Sequence, residues 1–362
     1  MPIVRSRRLP NITHIPLGWV LVIPFVLQIA GTVAIVGYLS YRSGRQATED
    51  LANQLLRQTS ERVSDRLTGY LQPSQQVVAA NHLAVRQGSL NPQNREQLRQ
   101  QLWQQMVVNS SLPASGFWSD QGTALVYGRL ISAEEKQIFD KLTGTSAPIG
   151  TIYLQQIRPN QRRFYLVDSR GKPQREVLLI QDDFRQLGWY REVKTSDRQF
   201  WSSVHIARVG SHLVMQAAAP VSDAAGKFQG MFNSYYALSQ FSTFLNELRF
   251  SPNGQIFIVE HSGNLVATSV LSEASSLRRA NGKPDRLPAV DSQDGRTREV
   301  ARQLVQKYGS FQALNSEQQL NVMVQGQRQF VQVTPYHDRY GLDWLVVTVI
   351  PETDFMAEIY AT

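Results

Sequence analysis

An uncharged run near the start of the chain limits its architecture more than any other feature. No residue from Leu17 to Leu39 carries a charge, and those 23 residues in a helix reach about 34 Å. That is enough to cross a hydrocarbon core of roughly 30 Å. Arg5, Arg7 and Arg8 precede the run, a cluster of the kind that stays cytoplasmic during insertion, and Trp19, Tyr38 and Tyr41 stand where interfacial aromatics belong. Pro16 and Pro24 do not oppose a span, because membrane helices tolerate proline. A cleavable signal would be shorter, about 7–15 apolar residues, and would end in small residues, whereas this run continues through Gly37-Tyr38-Leu39. The expected layout is a cytoplasmic N-terminus over 1–16, a membrane helix over 17–41, and a periplasmic or extracellular remainder on the inner (cell) membrane.

Composition then removes whole classes of function. The net charge of +8 comes without a basic stripe interleaved with aromatics, so no nucleic-acid partner is expected. With no cysteine there is no disulfide framework, thiol nucleophile or Cys-ligated metal. Phosphate-loop, dinucleotide, nucleophile-elbow and zinc-protease motifs are all missing. His14, His82, His205, His212, His261 and His337 show no metal-ligand spacing, and the acidic pairs Asp182-Asp183 and Glu134-Glu135 stand at helix starts, where capping accounts for them. No catalytic activity, cofactor or metal is expected.

Beyond the span the texture is helical and then strand-rich. Leu51 and Leu55, then Val63, Leu67 and Leu71, recur every fourth residue, which predicts a stalk helix interrupted or kinked at Pro73. Asn91 with Pro92 reads as the start of a second helix. A hairpin is expected around Asp120-Gln121-Gly122, and Ser132 with Glu135 forms a capping-box signature. Strands follow up to a helix over Leu238–Leu248; a second strand set starts at Gln255, passes a polar loop over Asn281–Asp294 and a helix over Arg298–Tyr308, and ends at Ile350. Pro220, Asp223 and Gly226 recur 115 residues later as Pro335, Asp338 and Gly341, and Phe241 recurs 114 later as Phe355. This collinear repeat favours two similar antiparallel sheets. The segment 181–236 concentrates Arg185, Trp189, Tyr190, Trp201, His205 and Tyr235, the aromatic walls and orienting polar groups that small-molecule pockets use. Each of these aromatics could equally be core.

Several stretches resemble the double Cache (dCache) sensor domains. They are Asp183 through Tyr190, Phe200-Trp201-Ser202, Ala219-Pro220-Val221, Gly226 through Gly230, Gly254 through Val259 and Gly263 through Ala267. The resemblance implies an α+β fold in which an N-terminal transmembrane and stalk helix carries two PAS-like sheet subdomains. The stalk would cover 42–110, a membrane-distal sensor subdomain 111–250, a membrane-proximal subdomain 251–355, and 356–362 would begin a second, truncated membrane helix. It also implies small-molecule sensing relayed across the membrane to a histidine kinase, cyclase or chemotaxis module, with homodimerisation through the stalk. Ligand-binding residues would be Arg185, Trp189, Tyr190, Trp201, His205 and Tyr235. At three positions the chain departs from the amino-acid-binding branch: Leu187 replaces an arginine, His205 a tyrosine and Tyr235 an aspartate. These departures count against an α-amino acid, while Arg185, Trp189 and Tyr190 keep a small anion or an aromatic-stacked metabolite open as ligand. The alternatives are a membrane-anchored scaffold or adhesion module and a periplasmic hydrolase.

Overall fold

A single helix, α1, runs Leu17–Arg86 in the computed structural model, which describes residues 17–248, 250–273 and 276–354. Its first part is long and apolar enough to cross a membrane, and none of that apolar window is buried. The expected segments 1–16 and 356–362 lie outside the described residues. One contact unit ends at Gln54 and a second begins at Leu55. Pro73 does not break α1, contrary to the sequence expectation. Leu67, Leu71 and Val78 are buried on either side of it, and this packing offsets the lost backbone bond. The second helix, α2 (Arg95–Val108), starts later than Asn91, because the Asn94 side chain accepts the Gln97 N–H and caps it.

The first sheet of the second unit is built from β1 (Ala114–Ser119), β2 (Ala124–Arg129), β3 (Ile152–Arg158), β4 (Gln161–Val167) and β5 (Pro173–Ile180). It also holds the short β6 (Phe200–Trp201) and β7 (His205–Ile206), then β8 (Leu213–Ser222) and β9 (Phe228–Ala237). The order is β5-β4-β3-β2-β1-β9-β8-β6, with β7 also on β8. Helix α3 (Ala133–Thr143) opens with the Ser132–Glu135 capping box; α4 (Gly188–Thr195) and α5 (Ser239–Glu247) follow. The next strands are β10 (Gln255–Glu260), β11 (Leu265–Thr268), β12 (Leu277–Ala280) and β13 (Lys283–Arg286). Helix α6 (Gly295–Tyr308) and strands β14 (Gln318–Val324), β15 (Gln327–His337) and β16 (Asp343–Pro351) complete the chain. The second sheet has the order β11-β10-β16-β15-β14. The β12–β13 hairpin takes up the first six residues of the expected polar loop over 281–294, turning at Asn281-Gly282, both with positive φ.

The sequence repeat is a repeated turn. Asp223 Oδ1 accepts from the Ala225 and Lys227 N–H groups, and Asp338 Oδ1 accepts from those of Tyr340 and Leu342. Gly226 and Gly341 close the two turns at φ 78° and 92°, where a side chain would be strained. Each sheet has a back face on one shared core. Leu67, Leu71 and Val78 of α1 and Leu102 and Met106 of α2 pack there with Phe232 and Met215, and with Ile256, Ile258 and Val346. Polar pairs punctuate it: Ser74 meets Ser234 at 2.7 Å, Thr68 meets Tyr336 at 3.0 Å, and Ser60 meets Thr348 at 3.1 Å.

Candidate ligand-binding cavity

Strand alternation assigns each residue of the first sheet to the back core or to the front face. Cross-strand partners share a face, so the register Gly116↔Asn233, Gln216↔Tyr235, Gly128↔Tyr153 and Gln155↔Phe164 sets out a front of amides, tyrosines and glycines. Two glycines make the room. A Cβ on Gly128 would come within 2.5 Å of the Tyr153 ring, and one on Gly116 within 2.7 Å of Asn233 Oδ1. Over this floor lies a cavity that opens to solvent. Its walls come from α3 (Glu135, Ile138, Phe139, Leu142), from Leu187 and Trp189 at the start of α4, and from the stretch His205 to Val214.

The polar groups are organised. Trp118 Nε1 donates to Asn233 Oδ1 at 2.8 Å, and Asn233 Nδ2 donates to Gln216 Oε1 at 2.7 Å. The Tyr153 and Tyr235 hydroxyls are hydrogen-bonded to each other; burial pushes Tyr153 up to about 12 and holds Tyr235 well above its ordinary value. Arg162 lies 5.4 Å over the Trp118 ring, and its Nη2 donates to Asp182 Oδ2 at 2.6 Å. Its Nε is buried without a partner. Arg208, half out at the mouth, reaches the other Asp182 oxygen at 3.3 Å. Glu135 Oε2 accepts from the Ile131 and Ser132 N–H groups, the Ser132 hydroxyl and Gln240 Nε2, while burial raises its pKa. Burial also lowers His205, and it brings His212 down to about 4, so both rings on the wall are neutral at pH 7.

Of the six residues singled out from the sequence, Trp189, His205 and Tyr235 line this cavity, with the His205 ring stacked on Trp189 at 6.2 Å. Leu187, the other departure position, lines it too. Arg185, Tyr190 and Trp201 are not among the lining residues. Arg185 turns back on Asp183, its Nε and Nη2 each donating at 2.9 Å, and packs over the Gly122 turn. Tyr190 follows Trp189 by one residue and so faces about 100° away around the helix. Its hydroxyl donates to Asp120 at 3.2 Å. Trp201 faces the back core at 6.0 Å from Tyr236, and its Nε1 donates to Asp338 Oδ2 at 2.7 Å, joining the first sheet to the repeated turn of the second. Sequence reasoning missed Arg162, Glu135, Trp118, Gln155, Gln216 and Asn233. A signal did exist for Gln216, a lone polar residue in the apolar run from Leu213 to Val221. Among the described residues no three His, Asp or Glu groups converge to hold a metal ion.

The chain is similar to several solved ligand-binding domains. The ligand-binding domain of the Pseudomonas aeruginosa PAO1 amino acid chemoreceptor PctC, in complex with GABA, is 16% identical; the match covers 84% of this chain and 99% of that one at a TM-score of 0.48. The ligand-binding domain of the Pseudomonas fluorescens chemoreceptor CtaA with L-serine is 15% identical, with 84% and 99% covered and a TM-score of 0.49. The ligand-binding domain of Mlp24 with asparagine is 13% identical, with 87% and 98% covered and a TM-score of 0.48. No curated protein matches the chain. The profile of the dCache family, described as a Cache domain, matches residues 42–359, and the chain belongs to that family.

Proposed function

We propose that this Cache protein is a membrane-anchored, non-catalytic sensor that encloses a small molecule in the cavity of its first sheet. In this reading the segment 17–41 is the anchor, the sheets lie in the periplasm or outside the cell, and the stalk pairs two copies. The observation that carries the reading is a cavity whose polar floor includes a buried, unpartnered guanidinium N–H, in a chain of the Cache family. The similar ligand-binding domains carry GABA, L-serine and asparagine by their names, which supports a small-molecule ligand. Asp182 and Asp183 are each held by arginines, which supports binding over hydrolysis.

Transmission has a physical route. Helix α1 touches β9 through Ser74 and β15 and β16 through Thr68 and Ser60, while Trp201 bonds Asp338 only four residues before His205. Ligand closure over the first sheet would shift these contacts by about 1–2 Å, with a coupling of roughly 1–3 kcal/mol, and move the helix against a histidine kinase, cyclase or chemotaxis partner. The test is thermal denaturation of the full chain in lipid nanodiscs against a metabolite panel. A ligand at a hundred times its Kd adds about 2.7 kcal/mol and raises Tm. Ile138→Trp, which fills the cavity from α3, is expected to abolish the rise and keep the fold. A flat response across the panel returns the protein to the scaffold reading.

A further inference from the structure

The cavity's chemistry is divided between two ends. Phe139, Leu130 and Phe164 belong to a hydrocarbon cluster joined by Leu178, and Ile138 and Leu142 extend that wall. Trp118 belongs to a different cluster, with Trp189 and Phe184, and it is over Trp118 that the Arg162 guanidinium lies. The charges at the Trp118 end do not balance. Arg162 and Arg208 both lean on the single carboxylate of Asp182, at 2.6 and 3.3 Å, which leaves one positive charge in excess beside a low-dielectric wall. Arg162 is 8% exposed, and its Nε lacks an acceptor. A buried donor without a partner is a vacancy for an acceptor, and a carboxylate fits the planar guanidinium edge best.

Beside Arg162 and Arg208 an ammonium would have to share the carboxylate of Asp182. In an α-amino acid the ammonium stands on the carbon next to the carboxylate, so it would share this end with both arginines. Asp182 is already taken by them. Glu135, the one acid among the lining residues, stands on the α3 wall with Oε2 committed to capping α3 and to Gln240. The position where the amino-acid-binding pattern has an aspartate is Tyr235, whose hydroxyl is tied to Tyr153.

From this arrangement we infer that the ligand is an organic carboxylate with an apolar body and no ammonium group, its carboxylate on Arg162 and its hydrocarbon against the α3 wall. The inference rests on the sensor reading above and narrows it to a ligand class.

Two matched sets test it by calorimetry on the full chain in nanodiscs. Isocaproate, leucine and isoamylamine share one hydrocarbon; hydrocinnamate, phenylalanine and phenethylamine share another. At least one of the two carboxylates is expected to bind about tenfold or more tightly than its amino acid, and neither amine is expected to bind. Arg162→Gln is expected to weaken the carboxylate at least about tenfold. That substitution strands the buried Asp182, so the charge-balanced pair Arg162→Gln with Asp182→Asn is made beside it, and its folding is followed by circular dichroism. Equal or tighter binding of leucine, phenylalanine or an amine overturns the assignment and leaves the sensor reading standing. So does silence from all six probes when another molecule of the metabolite panel raises Tm. Undiminished carboxylate binding in the folded double variant also overturns it, whereas silence from the whole panel removes the sensor reading as well.

Discussion

The two sheets share a hairpin turn and differ in what covers their front faces. The second sheet fills its own: Phe257, Val259, Val331, Val333, Val347 and Val349 pack beneath Val300, Ala301 and Leu304 of α6. The first sheet presents Gly116, Gly128, Gln155, Gln216, Asn233 and Arg162, and its walls come from two shorter helices, α3 and α4. Branched aliphatic side chains interdigitate at near-crystalline density, while glycines and hydrogen-bonded amides cannot reach across the same gap. The difference teaches that one architecture gives a packed support or a hollow receptor according to a handful of front-face residues.

The sharpest way to break that contrast is to place a charge on each front. Val347→Asp is expected to cost at least about 4 kcal/mol, because an unpaired carboxylate would be buried in an aliphatic core. Ile138→Asp, on the wall of the open cavity, should cost on the order of 1 kcal/mol because water can reach it. Chemical denaturation of the two variants checks the pair, and similar losses would erase the distinction.

Acid provides the next test. His212, on the cavity wall, has its pKa lowered to about 4 by burial, against an ordinary 6.5. Between those values the unfolded chain binds more protons than the folded one. Stability is therefore expected to fall as pH drops from about 6.5 toward 4, by up to about 3 kcal/mol. Tm against pH for the wild type and His212→Gln should diverge over that window, the wild type falling more steeply.

The smallest effect concerns the joint between the sheets. Trp201→Phe removes the indole N–H from Asp338 and is expected to cost about 1–2 kcal/mol. If the joint transmits, the variant still binds ligand while the response at the second sheet weakens, which hydrogen exchange over β15 and β16 would report.

Much of the fold was legible in the sequence where short-range chemistry decides it. Ser132 and Glu135 announced a helix start, Asp223-x-x-Gly226 and Asp338-x-x-Gly341 announced paired turns, and fourfold spacing announced the helix through Leu67 and Leu71. Local signals misled where packing outweighed them. Pro73 stays helical because its neighbours are buried, and α2 begins at Asn94 because that side chain, not Asn91, reaches the N–H three residues on. The cavity was half legible. Aromatic density pointed to Trp189, His205 and Tyr235, but it could not separate Trp189 from Tyr190, whose hydroxyl donates to Asp120 instead.

The sequence by itself determined an apolar helix and two strand sets with a repeated turn, because periodicity, capping and turn chemistry act over a few residues, and separately its motifs carried the resemblance to the Cache family whose profile it matches. Only the tertiary structure decided that Arg162, on a strand that reads as ordinary from its sequence, meets Trp118 and Asp182 in a desolvated corner. That meeting depends on the strand order β5-β4-β3-β2-β1-β9-β8, which brings distant segments onto one face. Burial and the shared charge of the Asp182 cluster exist only once those strands are paired, so no local pattern could reveal them.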